Sequence, residues 1–304
     1  IQFKSFAMRA LVTGGAGFIG SNLCFELESQ GMDVIAVDNF HSSKMDNLRG
    51  FKGRCLTQDV ASEFEVKDKL DVIFHQAAIT DPRYHNDQEV FEKNVEGFER
   101  MLKLSEKHQA KLVYASTAGL YGNGPIPMKE DQPKEILSPY GKSKLVADEM
   151  AEKLFARRHI VGLRYFNVFG LREATKGRPA SMIYHLACQM KAGKAPRIFK
   201  WGEQVRDFVY VKDVVAANLC AMNGKSGIYN VGTGVGTTFN ELIKVLNEVL
   251  KTSFEPEFFD MPYDPKTYQN NTVADVEHAK KGIGFTAAWD FKNAVADYLS
   301  LLQP

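Results

Sequence analysis

Between residues 9 and 38 the chain passes from a short apolar run, RALVT (9–13), through a glycine-rich turn, TGGAGFIG (13–20), and an amphipathic stretch, FIGSNLCFELESQ (18–30), to a second apolar run, DVIAVD (33–38). This reads as strand, tight turn, helix ended by Gly31 and strand, a βαβ unit whose crossover requires a parallel sheet. Gly14, Gly17 and Gly20 recur every three residues. The first permits the bend, the second lets backbone amides approach a pyrophosphate, and the third allows the helix to pack closely on the strand. Glycine spacing alone is weak evidence. A strand before it, a helix after it and an acid, Asp38, at the end of the next strand make it a dinucleotide-binding turn that also involves Phe18 and Ile19. Asp38, with Asn39 beside it, suits the adenosine ribose hydroxyls of NAD, whereas Lys44 suits the 2'-phosphate of NADP. Asp59 and Val60, ending RCLTQDV, are placed at the adenine edge, and Gln76, Ala77 and Ala78 leave room over the strand ends. His75 reads as a satisfied core histidine.

The alternation continues through DVIFHQAA (71–78), a helix near 90–108, KLVYAST (111–117), a helix over 139–157 and IVGLRYFN (160–167). The fold class is therefore α/β, a Rossmann-type doubly wound parallel sheet. Residues 1–170 form the dinucleotide-binding domain. Residues 171–304 form mainly a smaller, partly interleaved lobe, with helices near 179–192, 213–222 and 238–251 and strands at 207–211 and 227–232; the strand near 207–211 is expected to return to the first domain.

With 38 basic against 37 acidic residues and no basic run, the chain lacks the footprint of a dedicated nucleic-acid binder. Cys24, Cys55, Cys188 and Cys220 form no C-x-x-C pair, so neither a metal site nor a disulfide framework is expected. No apolar stretch reaches membrane-span length, and the leading IQFKSFA is too short for a secretory signal. A cytoplasmic protein acting on small molecules fits these features.

SPYGKSKLVADEM (138–150) sets Tyr140 and Lys144 on one face of a helix that Ser138 caps and Pro139 opens. A neighbouring ammonium favours the phenolate and would move the tyrosine toward the range of a general base.

Taken together, TGGAGFIG, HQAA, YASTAGLYG, YGKSK and RYFNVFG resemble the extended short-chain dehydrogenase/reductases that modify nucleotide sugars, over nearly the whole chain. The resemblance implies Tyr140 as acid/base, Lys144 as its partner on the nicotinamide ribose, Thr117 completing the site and Ser116 assisting. It also implies Asn94 and the backbone of Val168 on the cofactor. GLRYFNVFGLREATKGRPASMIYHL and GEQVRDFVYVKDV are most similar to the ADP-glyceromanno-heptose 6-epimerase family, in which Lys176 would be a second acid/base on the other face of the sugar. Asn167, His185, Phe199, Gly202, Arg206 and Tyr268 would hold the sugar nucleotide, Arg206 donating to the diphosphate as a fork. The expected cofactor is tightly bound NADP or NAD, and the expected assembly a homo-oligomer through the helices near 90–108 and 139–157.

Leu171 stands where that family usually has proline, so the lip of the sugar pocket can differ. The alternative is a UDP-hexose 4-epimerase, which inverts C4 without Lys176. A 4,6-dehydratase is disfavoured because Ala118 and Gly119, not acids, follow Thr117. A dinucleotide-sensing regulator is disfavoured because Tyr140, Lys144 and Thr117 are all present.

Overall fold

The computed structural model describes residues 8–81, 84–262, 264 and 268–302. The chain opens with β1 (Arg9–Thr13), α1 (Phe18–Ser29), β2 (Asp33–Asp38), β3 (Arg54–Thr57), β4 (Val72–His75), α2 (Asp87–His108), β5 (Lys111–Thr117), α3 (Pro139–Glu152) and β6 (Ile160–Tyr165). It continues with β7 (Asn167–Phe169), α4 (Met182–Lys191), β8 (Arg197–Phe199), β9 (Val205–Arg206), β10 (Phe208–Tyr210) and α5 (Val211–Asn223). The last part holds β11 (Gly227–Val231), β12 (Thr237–Thr238), α6 (Phe239–Leu250), β13 (Glu257–Phe259), α7 (Glu277–Ile283) and α8 (Phe291–Leu301).

Seven strands form one parallel sheet in the order β11-β6-β5-β4-β1-β2-β3. Ala10, Leu11 and Val12 of β1 and Val72, Ile73 and Phe74 of β4 are fully buried, as strands covered on both faces require. Leu23 and Leu27 of α1 pack with Val214 and Ala217 of α5 on one face. Phe98 and Met101 of α2 pack with Ala147 and Ala151 of α3 on the other. The strand order reverses between β1 and β4, and in such a sheet the carboxyl ends of the strands open a ligand crevice at that point.

Three expectations change. The segment 160–167 is broken after Tyr165, so Asn167–Phe169 pairs in parallel with Phe208–Tyr210 as a separate two-stranded sheet. The strand at 227–232, expected in the smaller lobe, is β11 and lies in the main sheet beside β6, while the strand near 207–211 pairs with β7, within residues 1–170. The helix predicted over 139–157 ends at Glu152, where the backbone tightens into i→i+3 bonds such as Leu154 N to Ala151 O. A second cluster of buried side chains joins Phe169 and Tyr210 to Ile183, Leu186, Leu242, Val295 and Tyr298.

The turn that carries the cleft tolerates no side chain at its third glycine. A Cβ on Gly20 would lie 2.0 Å from the Gly14 carbonyl oxygen. Gly20→Ala should lose dinucleotide and destabilise the fold by the roughly 1–3 kcal/mol of an overpacked core. Thermal denaturation and the dinucleotide content of the purified variant check this; wild-type values for both would refute the packing role.

Candidate active site

The crevice is lined by Gly14, Gly17, Phe18, Ile19, Gly20, Asp38, Asn39, Asp59, Val60, Gln76, Ala77, Ala78 and Asn94. Gly14 adopts φ +64°, and a Cβ there would stand 2.8 Å from Ala77 N, so two backbones meet and leave a side-chain-free cradle of the kind a pyrophosphate needs. Asp38 Oδ2 accepts from Ala16 N at 2.9 Å, and its Oδ1 accepts from Phe40 N at 2.9 Å and Ser43 Oγ at 2.7 Å. Its carboxylate thus ties the glycine turn to the loop after β2 while lining the crevice. Lys44 is exposed and outside that lining, whereas Asp38 is part of it.

Gln76 Oε1 accepts from Tyr165 OH at 2.9 Å, and its amide donates to Asn218 Oδ1 at 3.0 Å. Asn94 accepts from Ile79 N at 2.8 Å and donates to Ser143 Oγ at 3.2 Å, joining the loop after β4 to α3. His75 is 2% exposed and sits 2.7 Å from Thr13 Oγ1, with burial pushing its pKa down to about 3. It is the core histidine expected.

On α3, Ser138 Oγ accepts from Gly141 N at 3.1 Å and Pro139 opens the helix. Lys144 Nζ lies 5.7 Å from the centre of the Tyr140 ring. The phenol of Tyr140 faces the Thr117 side chain, which brings α3 and the end of β5 together as expected. Its acidity is not as expected. Burial pushes the Tyr140 phenol up to about 12, Thr117 pulling against it, and burial pushes Lys144 down to about 8, Asp148 pulling against it. Burial is the largest effect on each group, and it disfavours the charged form of both.

Ser116 does not reach the site, because its hydroxyl donates to Asp148 Oδ2 at 3.2 Å. Adjacent residues of a strand face opposite ways, so Thr117 and Ser116 cannot both face it. Asp148 also accepts from Tyr114 OH at 2.9 Å and pairs with Arg164 Nη2 at 2.9 Å, both side chains of the ion pair being 3% exposed or less. Arg164 in turn donates to Tyr121 OH at 3.0 Å. Asp148→Asn leaves the Arg164 charge buried without its counter-ion and should lower stability by about 3–5 kcal/mol. Urea unfolding of the variant at neutral pH measures it, and a loss under 1 kcal/mol would show the pair to be dispensable.

Among the residues expected to meet the sugar nucleotide, Phe199 and Tyr268 meet edge to face at 5.9 Å, and Arg206 lies 5.2 Å above the Tyr268 ring. Arg206 is not an open fork. It donates to the carbonyls of Val205 at 2.9 Å, Asn270 at 2.7 Å and Gln269 at 2.6 Å, and it makes no pair with Asp207, whose oxygens accept from Thr233, Gly234 and Ala274. Asn167 Oδ1 accepts from Thr272 Oγ1 at 3.0 Å, His185 Nε2 faces the Arg178 carbonyl at 3.2 Å, and Val168 pairs with Val209. Gly202 serves a turn at φ +75°, where a Cβ would strike Asn240. Lys176, by contrast, lines the crevice with Thr175, its Nζ 5.8 Å from the centre of the Phe18 ring, and burial lowers its pKa.

Sequence reasoning missed Asp148 and Arg164, although an acid four residues after Lys144 on one helix face was a visible signal. It also missed Gln269, whose amide donates to Gly122 O at 2.8 Å and ties the sugar-side loop to the turn after Thr117. No sequence pattern foretells that contact across 147 residues. Among the described residues no cluster of metal-ligating side chains occurs, and no helix is long and apolar enough to cross a membrane.

A doubly wound sheet with a glycine cradle at its switch point and a Tyr-x-x-x-Lys pair beside it defines a dinucleotide-dependent enzyme of the short-chain dehydrogenase/reductase type. The chain belongs to the NAD dependent epimerase/dehydratase family, which it matches over residues 10–232. It is 38% identical, over 88% of its length and 89% of the relative's, to the ADP-L-glycero-D-manno-heptose-6-epimerase of Brachyspira hyodysenteriae. Its fold matches the crystal structure of the Helicobacter pylori ADP-L-glycero-D-manno-heptose-6-epimerase with a TM-score of 0.91 and 35% identity, covering 99% of this chain and 97% of that one. It matches UDP-glucose 4-epimerase with UDP-glucose from Thermotoga maritima with a TM-score of 0.86 and 31% identity, over 96% and 98% of the two chains.

Proposed function

We propose that the chain is a nucleotide-sugar epimerase that inverts C6 of an ADP-glyceromanno-heptose. The observation that carries this reading is Lys176, a partly buried amine in the wall of the crevice that holds the glycine cradle, on a different element from Tyr140. The dinucleotide, NAD in this family, supplies when bound a reversible hydride acceptor. The crevice fits it through the Gly14 cradle and Asp38.

The chain's own residues move protons. Tyr140, beside Thr117, takes as its phenolate the hydroxyl proton of the carbon being oxidised on one face of the sugar and becomes the neutral phenol. The positive charge of Lys144 favours that phenolate before the transfer. Once the exocyclic keto carbon has turned about its single bond, Lys176 delivers a proton on the second face. Arg206, three of whose five N–H groups are held by backbone carbonyls, and Tyr268 act on the sugar nucleotide by shaping its wall.

The alternative, a UDP-hexose 4-epimerase, draws support from the likeness to UDP-glucose 4-epimerases but gives a partly buried Lys176 no task. A cytoplasmic homo-oligomer is part of the reading; Phe91 and Val95 of α2 and Leu145 and Met150 of α3 stay partly exposed on the face that would pair. Proton NMR of the product from ADP-D-glycero-D-manno-heptose tests the substrate. Mass spectrometry of the supernatant after denaturation tests for tight binding and separates NAD from NADP. No product from the heptose alongside turnover of UDP-glucose would replace the first reading with the second.

A further inference from the structure

The segment that carries Lys176 is held at both ends by a carboxylate with no contact to solvent. Glu173 is 0% exposed; its Oε1 accepts from Gly170 N at 3.0 Å and Ser181 Oγ at 3.0 Å, and its Oε2 accepts from Ser181 N at 2.7 Å. These bonds cinch residues 170–181 into a closed loop whose 3-10 turn, Glu173–Lys176, projects the lysine toward Phe18. A second tie holds the tip. Asn47, 6% exposed, donates from one amide nitrogen to Ala16 O in the glycine turn at 2.9 Å and to Thr175 Oγ1 at 2.9 Å. Thr175 Oγ1 donates onward to Arg172 O at 3.0 Å. Arg172 holds a left-handed backbone at φ 75°, its side chain lying 4.4 Å over Phe25 and donating to Asn22. A non-glycine residue keeps that conformation only where its surroundings over-determine it.

A buried carboxylate is an expensive way to close a loop, because a neutral amide could accept some of the same bonds without a desolvated charge. What the carboxylate adds is negative charge three residues before Lys176 on the same turn. Besides Glu173, the charged group facing Lys176 is Asp81, and its apolar neighbour is Phe18.

We propose that Glu173 and the Asn47–Thr175 bond are positioning elements for Lys176: Glu173 closes its loop, and Asn47 registers that loop to the glycine turn. The inference rests on the reading of Lys176 as the second acid/base. It makes the lysine's placement depend on the same turn that cradles the pyrophosphate.

Thr175→Val removes the bond to Asn47 with little change in volume, and Glu173→Gln removes the charge with little change in shape. Both should keep dinucleotide, lower kcat on the heptose substrate roughly 10- to 100-fold and leave KM nearly unchanged, as misplacing one reacting group does. Acetylation of Lys176 against pH, followed by peptide mass spectrometry, should show its midpoint falling in Glu173→Gln, since a charge that favours the ammonium is gone. Glu173→Asp, which keeps the charge, should restore the midpoint. Should thermal denaturation show Glu173→Gln to be unfolded, Thr175→Val decides by its kcat. Wild-type kcat and midpoint in these variants beside an inactive Lys176→Met would overturn the inference. An active Lys176→Met would instead overturn the reading beneath it.

Discussion

Tyr140→Phe should retain its dinucleotide and slow turnover by the roughly 10²- to 10⁴-fold that follows loss of a general acid/base. The substitution removes one oxygen from a side chain whose ring packs beside Lys144 and whose hydroxyl meets Thr117. The cradle at Gly14 and the carboxylate of Asp38 lie on other elements, so binding and chemistry separate cleanly. The pH profile carries further information. Lys144 has been pushed down to about 8 by burial, so its ammonium, and with it the stabilisation of the Tyr140 phenolate, is present below that value and lost as pH rises through it. The wild-type rate should therefore fall on the alkaline side near pH 8. Near-normal turnover by Tyr140→Phe, measured by product NMR, would remove the tyrosine from the mechanism.

For Lys176→Met the expected result is turnover of the ADP-heptose nearly as low as that of Tyr140→Phe, with dinucleotide content unchanged. An exocyclic carbon that turns about a single bond presents its second face away from the first acid/base, and that face needs its own proton carrier. If the substrate is a UDP-hexose, the keto ring rotates as a whole and returns the second face to Tyr140 and Thr117, so Lys176 becomes dispensable. The same assay run with ADP-D-glycero-D-manno-heptose and with UDP-glucose distinguishes the two. Turnover of UDP-glucose alone, indifferent to Lys176, would reverse the choice between them.

The sequence by itself determined what depends on neighbours along the chain. The βαβ unit at 9–38, the glycine cradle, Asp38 at the end of β2 and the Tyr140/Lys144 face of α3 are written in spacings of a few residues, where hydrophobic period and steric tolerance act locally. Only the tertiary structure decided what depends on groups far apart in the chain. It paired β11 with β6, turned Ser116 away to Asp148 and filled the Arg206 fork with carbonyls from Gln269 and Asn270. It also reversed the expected direction of the Tyr140 pKa. An ammonium four residues away is visible in a sequence, but the loss of water around both groups is set by every chain segment that closes over them, and here that desolvation is the larger effect.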